Sequence, residues 1–507
     1  MLSLLLFLPL LGIGAIALFP RPLSRIVATV FTVSALAISS YLLLNLDLQS
    51  TVMQYTEFHA WLSVLGMNYN LGVDGLSLPL IVLNGLLTLV AIYSIGEENH
   101  RPKLYYSLIL LINSGITGAL IANNLLLFFL FYEIELIPFY LMIAIWGGEK
   151  KGYASTKFLI YTAISGLLVL LAFLGIVWLS QSSTFDFENL TLSNLDSKLK
   201  LILLTILLVG FGIKIPLVPL HTWLPDAYVE ANPAVTVLLG GIFAKLGTYG
   251  LVRFGFQLFP DVWPTVAPAL AVIGTVSVMY GSLAAIAQRD LKRMVAYSSI
   301  GHMGYILVAT AAGTELSILG AVAQMISHGL ILALLFHLVG IIERKVGTRD
   351  LDVLNGLMNP VRGLPLTSSL LILAGMASAG IPGLVGFIAE FMVFQGSFSR
   401  FPIPTLLCIV ASGLTAVYFV ILLNRTCFGR LDNQTAYYSK VIATEKIPAL
   451  ALTAIILFFG LQPAWLTRWI EPTTSQLVAN VDINLETAAI ALTAPDLSRE
   501  SLVDNSL

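Results

Sequence analysis

Charged residues are scarce in this 507-residue chain, since Asp, Glu, Lys and Arg together make up 11% of it. Soluble globular proteins use about 25%, so the composition excludes a set of water-soluble domains. The chain also lacks a polybasic run, and its net charge is only −2. These features argue against nucleic acid, or an anionic lipid surface, as a main partner.

Cysteine is almost absent, because Cys408 and Cys427 are the only two in the chain. Two cysteines are too few to hold an iron–sulfur cluster. The sequence has no glycine-rich dinucleotide loop between a strand and a helix, and no haem motif. Glycine pairs such as Gly301 and Gly304 fall inside predicted helices, where they favour close packing. We therefore expect this chain to bind no cofactor and no metal, and to perform no redox chemistry itself.

Hydrophobic residues, by contrast, make up 57% of the chain, and the mean hydropathy is +0.90. Apolar runs recur along it that can cross a hydrocarbon core of about 30 Å at about 1.5 Å per residue. They predict an all-α polytopic membrane protein of about fourteen transmembrane helices. The predicted spans are residues 2–19, 26–45, 76–95, 105–122, 125–147, 158–179, 199–221, 233–258, 265–287, 294–312, 316–342, 366–398, 402–425 and 447–469.

The loops between these spans differ in charge. If the spans alternate strictly, the loops on one side hold eighteen Lys and Arg residues and those on the other side hold six. Cytoplasmic loops carry such an excess, so both termini are predicted on the outer side. The acidic tail, residues 471–507, is expected there, disordered or loosely packed on a partner. Trp61, Trp263 and Trp465 near span ends are expected to act as interface anchors.

Several ionisable residues lie inside the predicted spans, where each charge costs on the order of 3 kcal/mol. They are Glu133, Glu135, Lys214, Lys245, His328 and Glu390. Burial disfavours the charged form of a lysine or a carboxylate and an opposite charge restores it, so a Glu beside a Lys can exchange protons. Structural ion pairs are the alternative, but a set spread over five spans favours a proton relay. Glu133 and Glu135 are two residues apart on a helix, so we do not expect both to serve one site.

Two spans are predicted to be broken in mid-membrane. Pro216 and Pro219 follow Lys214, whereas Pro382 and three glycines precede Glu390. Simple proline kinks are one interpretation; the other is a pair of inverted repeats, each with a discontinuous helix, as in many transporters. We predict two inverted five-helix repeats. The predicted parts are residues 1–103 (first three spans), 104–258 (first repeat), 265–428 (second repeat) and 447–507 (last span and polar tail).

From about residue 72 to residue 428 the sequence resembles the antiporter-like subunits of respiratory complex I and of Mrp-type cation/proton antiporters. The matching motifs are Val73-Asp-Gly-Leu-Ser77, Tyr132-Glu133, Lys214-Ile-Pro-Leu-Val-Pro-Leu-His221-Thr-Trp-Leu-Pro-Asp226, Arg289-Asp-Leu-Lys-Arg293 and Tyr297-Ser-Ser-Ile-Gly-His302-Met-Gly304. Within the family the chain looks most like the chain-4 (M/D-type) subunit of photosynthetic NAD(P)H-quinone oxidoreductases. Glu390 agrees, because the related subunits are expected to carry a lysine there.

The resemblance implies roles for five residues. Glu133 and Lys214 would form the input pair, Lys245 and His328 the central relay, and Glu390 the terminal exchange site.

Other residues are secondary candidates. His221 and His302 belong to the matching motifs and would be further relay groups, although a buried histidine is as often a hydrogen-bonded core residue. Glu135 has no clear role in the family pattern. His337 lies outside the matching motifs and is interpreted as structural.

The resemblance further implies a proton-translocating subunit of a ferredoxin/NAD(P)H–plastoquinone oxidoreductase in a cyanobacterial or chloroplast thylakoid membrane. Expected partners are B- and F-type antiporter-like subunits, membrane lipids, and a peripheral redox arm that contains the iron–sulfur clusters and acts on plastoquinone. A variant specialised for CO2 uptake would add a CO2-hydration module. The alternatives are an Mrp-type cation/proton antiporter subunit and a purely structural membrane subunit.

Overall fold

A computed structural model of the protein describes residues 1–50, 52–95, 100–431 and 438–481. The helices are α1 (Leu2–Leu18), α2 (Ser24–Leu44), α3 (Leu78–Tyr93), α4 (Pro102–Ile121), α5 (Leu125–Ile134), α6 (Leu136–Trp146), α7 (Lys151–Leu179), α8 (Ser197–Lys214), α9 (Trp223–Glu230), α10 (Pro233–Leu238), α11 (Ala244–Gly250), α12 (Trp263–Ile286), α13 (Leu291–Ala312), α14 (Glu315–Val346), α15 (Pro365–Ser378), α16 (Val385–Phe398), α17 (Pro402–Thr426), α18 (Ala443–Leu461) and α19 (Ala464–Thr467). Two π-helical segments, Leu239–Phe243 and Leu251–Phe256, flank α11. Two strands, β1 (Gln54–Leu62) and β2 (Met67–Val73), complete the fold.

Every predicted span coincides with one helix or with consecutive helices. Within the described ranges, nine helical stretches are long and apolar enough to cross a membrane, and α1, α3, α15 and α16 are shorter apolar helices. The helical membrane class is thus confirmed, whereas the number of fourteen spans and the repeat boundaries stay predictions.

A short β-hairpin departs from the all-α prediction. Strands β1 and β2 pair antiparallel, with Gln54 opposite Val73 and Leu62 opposite Met67. Asp186 fastens the hairpin to the bundle, because its carboxylate accepts hydrogen bonds from Asn68 (2.6 Å) and Asn124 (3.0 Å). These strands were not predicted from the sequence, because they are short, polar segments between two long apolar runs.

The centre of the bundle consists of helices that are apolar on all sides. The stretch Pro233–Phe256 and helix α14 are buried throughout their most hydrophobic windows, and nearly every residue of α13 is buried. A helix that is hydrophobic all round lies inside a larger structure. The peripheral helices α2, α17 and α18 instead expose large apolar side chains, as lipid-facing helices do. The central helices carry Lys245, His302 and His328, which are therefore shielded from lipid.

Helices α12 and α13 pack at a distance that only glycine allows. A Cβ at Gly304 would lie 2.6 Å from the carbonyl oxygen of Gly274, and a Cβ at Gly281 would lie 2.6 Å from the amide nitrogen of Gly301. Small residues let transmembrane helices approach closely. The prediction that Gly301 and Gly304 serve packing is confirmed.

We expect Gly304→Val to reduce the amount of correctly assembled protein, because the obstructing atom belongs to the backbone of α12 and cannot move aside. Overpacking of this kind costs roughly 1–3 kcal/mol. The measurement is the yield of assembled complex on native gels. Gly413→Val is the matched control, since a Cβ at Gly413 in α17 meets nothing within 4 Å. Equal losses in the two variants would contradict the packing argument.

The first broken helix is a direct consequence of its prolines. Helix α8 ends at Lys214 and α9 begins at Trp223, because Pro216 has no N–H to continue the helix and its ring clashes with the preceding turn. The carbonyl of Ile213 accepts a hydrogen bond from the Trp223 indole (2.8 Å). This carbonyl, freed by the break, thus finds its hydrogen-bond partner within the protein, as a backbone group at membrane depth must.

The second break separates α15 from α16. Gly380 and Gly383 adopt φ values of +68° and +91°, which glycine tolerates without strain. The carbonyl oxygen of Ser378, left without an intrahelical partner at the end of α15, lies 3.1 Å from Nε2 of His302. Both predicted breaks are therefore present in the structure.

Two expectations about the outer side are wrong. Residues 471–481 are helical, with Leu477 and Val478 buried, instead of disordered or loosely packed; the rest of the tail, residues 482–507, lies outside the described residues. Trp263 is buried beside Phe256, at 5.2 Å between ring centroids, and does not anchor at an interface.

Candidate functional site

Lys214 occupies the last turn of α8, directly before the break. Its Nζ donates to Glu135 Oε1 (2.7 Å) and to the carbonyl oxygen of Tyr132 (3.0 Å). The side chains of Lys214 and Glu135 are 3% and 0% exposed. The ammonium also faces the rings of Tyr132 and Phe243, at 3.2 and 4.5 Å from their centroids. These contacts form a fully buried ion pair, which we call the first cluster.

The partner of Lys214 differs from the one that the family resemblance implied. Glu135 lies at the junction between α5 and α6 and points inward, whereas Glu133 is half-buried on another face. The Glu133 carboxylate contacts Gly166, where a Cβ would lie 2.1 Å from Oε1, and lines an apolar cavity of about 480 Å³. The two acids therefore serve different places, as the helical spacing predicted, but Glu135 makes the ion pair.

A double-mutant cycle distinguishes the two acids. Removing one partner of a buried ion pair costs about 3–5 kcal/mol, so Lys214→Met should lower the yield and thermal stability of the complex. Adding Glu135→Gln should restore much of both, because it removes the unpaired carboxylate. Adding Glu133→Gln should restore neither, since Glu133 does not touch Lys214. Rescue by Glu133→Gln alone would show that the resemblance identified the right pair.

Lys245 begins the second group of contacts. The π-helical segment Leu239–Phe243 widens the helix just before it, and such bulges free carbonyl oxygens at functional sites. The Nζ of Lys245 donates to the freed carbonyl of Gly240 and lies 2.9 Å from Nδ1 of His328 on α14. Lys245 is completely buried.

His328 connects Lys245 to His302 and Glu390. The rings of His328 and His302 are stacked, with centroids 5.1 Å apart and planes inclined by 8°. The Nε2 of His302 lies 3.5 Å from Glu390 Oε1, and the other oxygen of Glu390 accepts from the Ser412 hydroxyl (2.9 Å). Lys245, His328, His302 and Glu390 thus form a continuous buried row that ends at the half-buried Ser412, and we call these five residues the second cluster.

The two ring nitrogens of His302 have separate hydrogen-bond partners. Nδ1 lies 2.8 Å from the carbonyl oxygen of Ser298, which can only accept, so Nδ1 carries a hydrogen. Nε2 lies 3.1 Å from the carbonyl oxygen of Ser378 and 3.4 Å from the hydroxyl of the same residue, which can donate. The surroundings of Nε2 therefore suit both the neutral ring and the imidazolium, so this nitrogen can exchange a proton with Glu390. Lys245 Nζ and His328 Nδ1 are joined by one hydrogen bond.

Phe243 lies beside both clusters. Its ring faces the Lys214 ammonium, and it directly precedes α11, which carries Lys245. Each cluster contains a polar atom that is buried without a hydrogen-bond partner among the described residues: Glu135 Oε2 and His328 Nε2. Both atoms are free to exchange a further proton.

The remaining candidate histidines lie elsewhere. His221, in the break between α8 and α9, packs edge-on against Tyr280 (4.8 Å). His337 contacts the hydroxyl of Ser94 (2.7 Å) and the carbonyl of Glu445 (2.8 Å). It thus fastens α14 to the end of α3 and the start of α18, in agreement with a structural interpretation.

The motif at the start of α13 is also fastened to its neighbours. Asp290 caps the helix by accepting from the Arg293 amide (2.9 Å) and pairs with Arg349 (2.6 Å). Buried Lys292 donates to the carbonyl of Ala231 (2.5 Å). This motif positions α13, and with it His302, against α14 and the α9–α10 junction.

Sequence reasoning missed several members of the site. The carbonyls of Tyr132, Gly240 and Ser378 accept hydrogen bonds only because helices end or widen there, and residue type does not reveal that. Arg253, one of the six cations that the loop count assigns to the outer side, is buried and paired with Asp74 (2.5 Å). The presence of Asp74 in a motif was the only available signal for this pair.

Comparison with known proteins agrees with this geometry. The family model described as NADH:quinone oxidoreductase/Mrp antiporter, TM, matches residues 122–415. The chain belongs to this family. The matched range includes every residue of the two clusters, from Tyr132 to Ser412.

Curated relatives place the chain within the quinone oxidoreductase branch of the family. NAD(P)H-quinone oxidoreductase chain 4 1 of Synechococcus sp. is 39% identical, over 96% of this chain and 94% of the relative. NAD(P)H-quinone oxidoreductase chain 4 of Acaryochloris marina is 36% identical, over 99% and 97%. The chain is thus an antiporter-like membrane subunit of the complex I type.

Solved structures share the fold. A chain of respiratory complex I from Thermus thermophilus with bound NADH superposes with a TM-score of 0.86 at 25% identity, over 95% of this chain and all of that chain. A chain of the Mrp complex from Dietzia sp. has a TM-score of 0.83 at 21% identity, over 96% and 99%. The fold is therefore shared with a chain of respiratory complex I and with a chain of the Mrp complex.

Proposed function

We propose that this chain moves protons across the thylakoid membrane as a subunit of a ferredoxin/NAD(P)H–plastoquinone oxidoreductase. The observation that carries the proposal is the second cluster, in which four titratable side chains from four helices touch in series inside an apolar bundle. Fastening helices together does not require two stacked histidines next to a lysine, whereas passing a proton between neighbours does.

The contacts suggest an order of steps. A proton taken up by Lys245 passes to His328 Nδ1 across 2.9 Å. His328 then passes a proton to the stacked His302, and the imidazolium so formed releases a proton from Nε2 to Glu390, which leaves both rings neutral again. Glu390 then releases the proton past Ser412. Transfer between the two imidazoles requires one ring to rotate, because stacked rings share no direct hydrogen bond.

The first cluster supplies a switch for these steps. While Lys214 and Glu135 remain paired, their charges cancel. When the pair opens or Glu135 is protonated, the uncompensated Lys214 charge repels a proton on nearby Lys245. Glu133, half-buried on the outside of the bundle, is the group that a neighbouring antiporter-like subunit could contact to open the pair.

The redox reaction takes place in other subunits under this proposal. The relatives are named as parts of NAD(P)H-quinone oxidoreductases, which supports partners of B and F type and a peripheral arm with iron–sulfur clusters and plastoquinone. Both termini would face the lumen. An Mrp-type antiporter subunit is less well supported, because that likeness is one of fold at 21% identity.

The test is affinity purification of the tagged chain from native membranes, followed by mass spectrometry. Hydrophilic iron–sulfur subunits and a ferredoxin-binding subunit should co-purify. A carbonic-anhydrase-like protein among them would identify the variant specialised for CO2 uptake. Small membrane partners without redox subunits would overturn the proposal in favour of a cation/proton antiporter.

A further inference from the structure

An apolar groove runs inward from the end of the bundle at which α3 begins and α18 ends. Its volume is about 240 Å³. Its lining includes Pro79, Val82 and Leu86 of α3, Phe458 and Phe459 of α18, and Trp469. From Pro79 to Leu86 the groove follows α3 for about 10 Å at about 1.5 Å per residue.

Arg468 lies beside the mouth of this groove. The guanidinium of Arg468 lies 3.4 Å from the ring centroid of Trp465 and 4.3 Å from that of Trp469, and Trp469 also lines the groove. Trp465 is 39% exposed. Tryptophans at the end of a membrane bundle mark the headgroup level of the bilayer.

Arg468 has no acceptor for its guanidinium within the part of the chain that the structure describes. Its Nε is buried without a hydrogen-bond partner there. Other buried or half-buried cations, such as Lys200 and Arg253, are paired with carboxylates at 2.6 and 2.5 Å. Stacking on two indoles holds the Arg468 guanidinium in place but supplies no hydrogen-bond acceptor.

We propose that the groove and Arg468 together bind one anionic phospholipid, with an acyl chain along α3 and the headgroup phosphate on Arg468. The site matches both parts of such a molecule. An apolar groove directed into the membrane suits the acyl chain, and a cation at headgroup level suits the phosphate. Guanidinium groups bind phosphate through charge-assisted hydrogen bonds. The charge of the Arg468 guanidinium favours an anionic headgroup, such as that of phosphatidylglycerol, over a zwitterionic one.

The two halves contribute differently. Bilayer tails are as apolar as the groove, so moving an acyl chain into it gains little hydrophobic free energy. Selectivity for the lipid therefore depends on Arg468, whereas the groove fixes where the chain lies. Loss of the charge and loss of the groove should each release the lipid.

The test uses the intact complex, purified in mild detergent and incubated with phosphatidylglycerol that carries a photoactivatable group in its acyl chain. After illumination, mass spectrometry of peptides should find the label on residues 79–86 and 455–459. Arg468→Gln should lower this labelling by about tenfold, the value of one charged hydrogen bond, and Arg468→Lys should retain part of it. Val82→Trp, which fills the groove, should abolish labelling with the charge intact.

Arg400→Gln is the matched control, because Arg400 is an exposed cation on the same predicted side, and its labelling should equal that of the unaltered chain. Equal labelling by a phosphatidylcholine probe, or unchanged labelling in Arg468→Gln, would show ordinary bilayer contact and overturn the proposal. Labelling that arises only after removal of residues 482–507 would also overturn it, because the acidic tail would then be the occupant of the mouth.

Discussion

Lys245→Met is expected to reduce coupled proton translocation by about tenfold or more, the usual contribution of a positioned proton-transfer group, while leaving assembly nearly unchanged. The loss of proton translocation follows from the position of Lys245 at the start of the second cluster, in contact with His328. Methionine fills a similar volume but carries no proton.

The nearly unchanged assembly follows from the hydrogen-bond partners of Lys245. Within the described residues these are the carbonyl of Gly240 and the ring of His328, and neither is an acid. Replacing a buried charge with an apolar side chain is neutral or stabilising when no counter-charge is left unpaired. Lys245 is therefore a cleaner site for a test than Lys214, whose removal leaves Glu135 unpaired.

The measurement is proton uptake by inverted membrane vesicles during electron transfer, with the yield of complex determined in the same preparation. Lys150→Met is the control, since Lys150 is exposed at the start of α7 and should retain full activity. Normal proton uptake in Lys245→Met would remove Lys245 from the pathway. Loss of the complex would favour a structural role.

Glu390→Gln is expected to have a similarly large effect, of about tenfold or more on proton translocation. The amide keeps the volume beside Gly380, where a Cβ would lie 2.9 Å from the carboxylate, and can still accept from Ser412. It removes the negative charge that lies 3.5 Å from His302 Nε2, and with it the acceptor for the last transfer.

The same vesicle assay tests this variant, with Glu315→Gln as its control, because Glu315 is exposed at the start of α14. Infrared difference spectra of the purified complex supply a second readout, in which a carboxyl band that changes with turnover should disappear in Glu390→Gln alone. Proton uptake at the normal rate, with that band intact, would show that Glu390 is not the exchange site.

The parts of the site that depend on residue type alone could be predicted from the sequence. A proline two residues after Lys214 ends α8 whatever surrounds it, and a lysine in an apolar helix must be shielded from lipid. Both features are local, so the break at Lys214 and the burial of Lys245 could be predicted.

The contacts depended on packing that no local pattern encodes. Glu133 and Glu135 face different sides of the same helical stretch, and residue type does not reveal which side Lys214 packs against; only the tertiary packing brings its Nζ to Glu135. The stacking of His302 on His328 requires α13 and α14 to lie side by side, which the glycines of the α12–α13 contact help to arrange. The helix at 471–481 was missed because its short apolar face lies in an acidic tail.

The most direct test of proton transfer through this chain is the number of protons moved per electron in proteoliposomes that contain the purified complex. This account predicts a lower ratio for Lys245→Met than for the unaltered complex, and an unchanged ratio for Lys150→Met. An unchanged ratio in Lys245→Met, at an unchanged rate of quinone reduction, would contradict it, because the protons would then cross the membrane elsewhere.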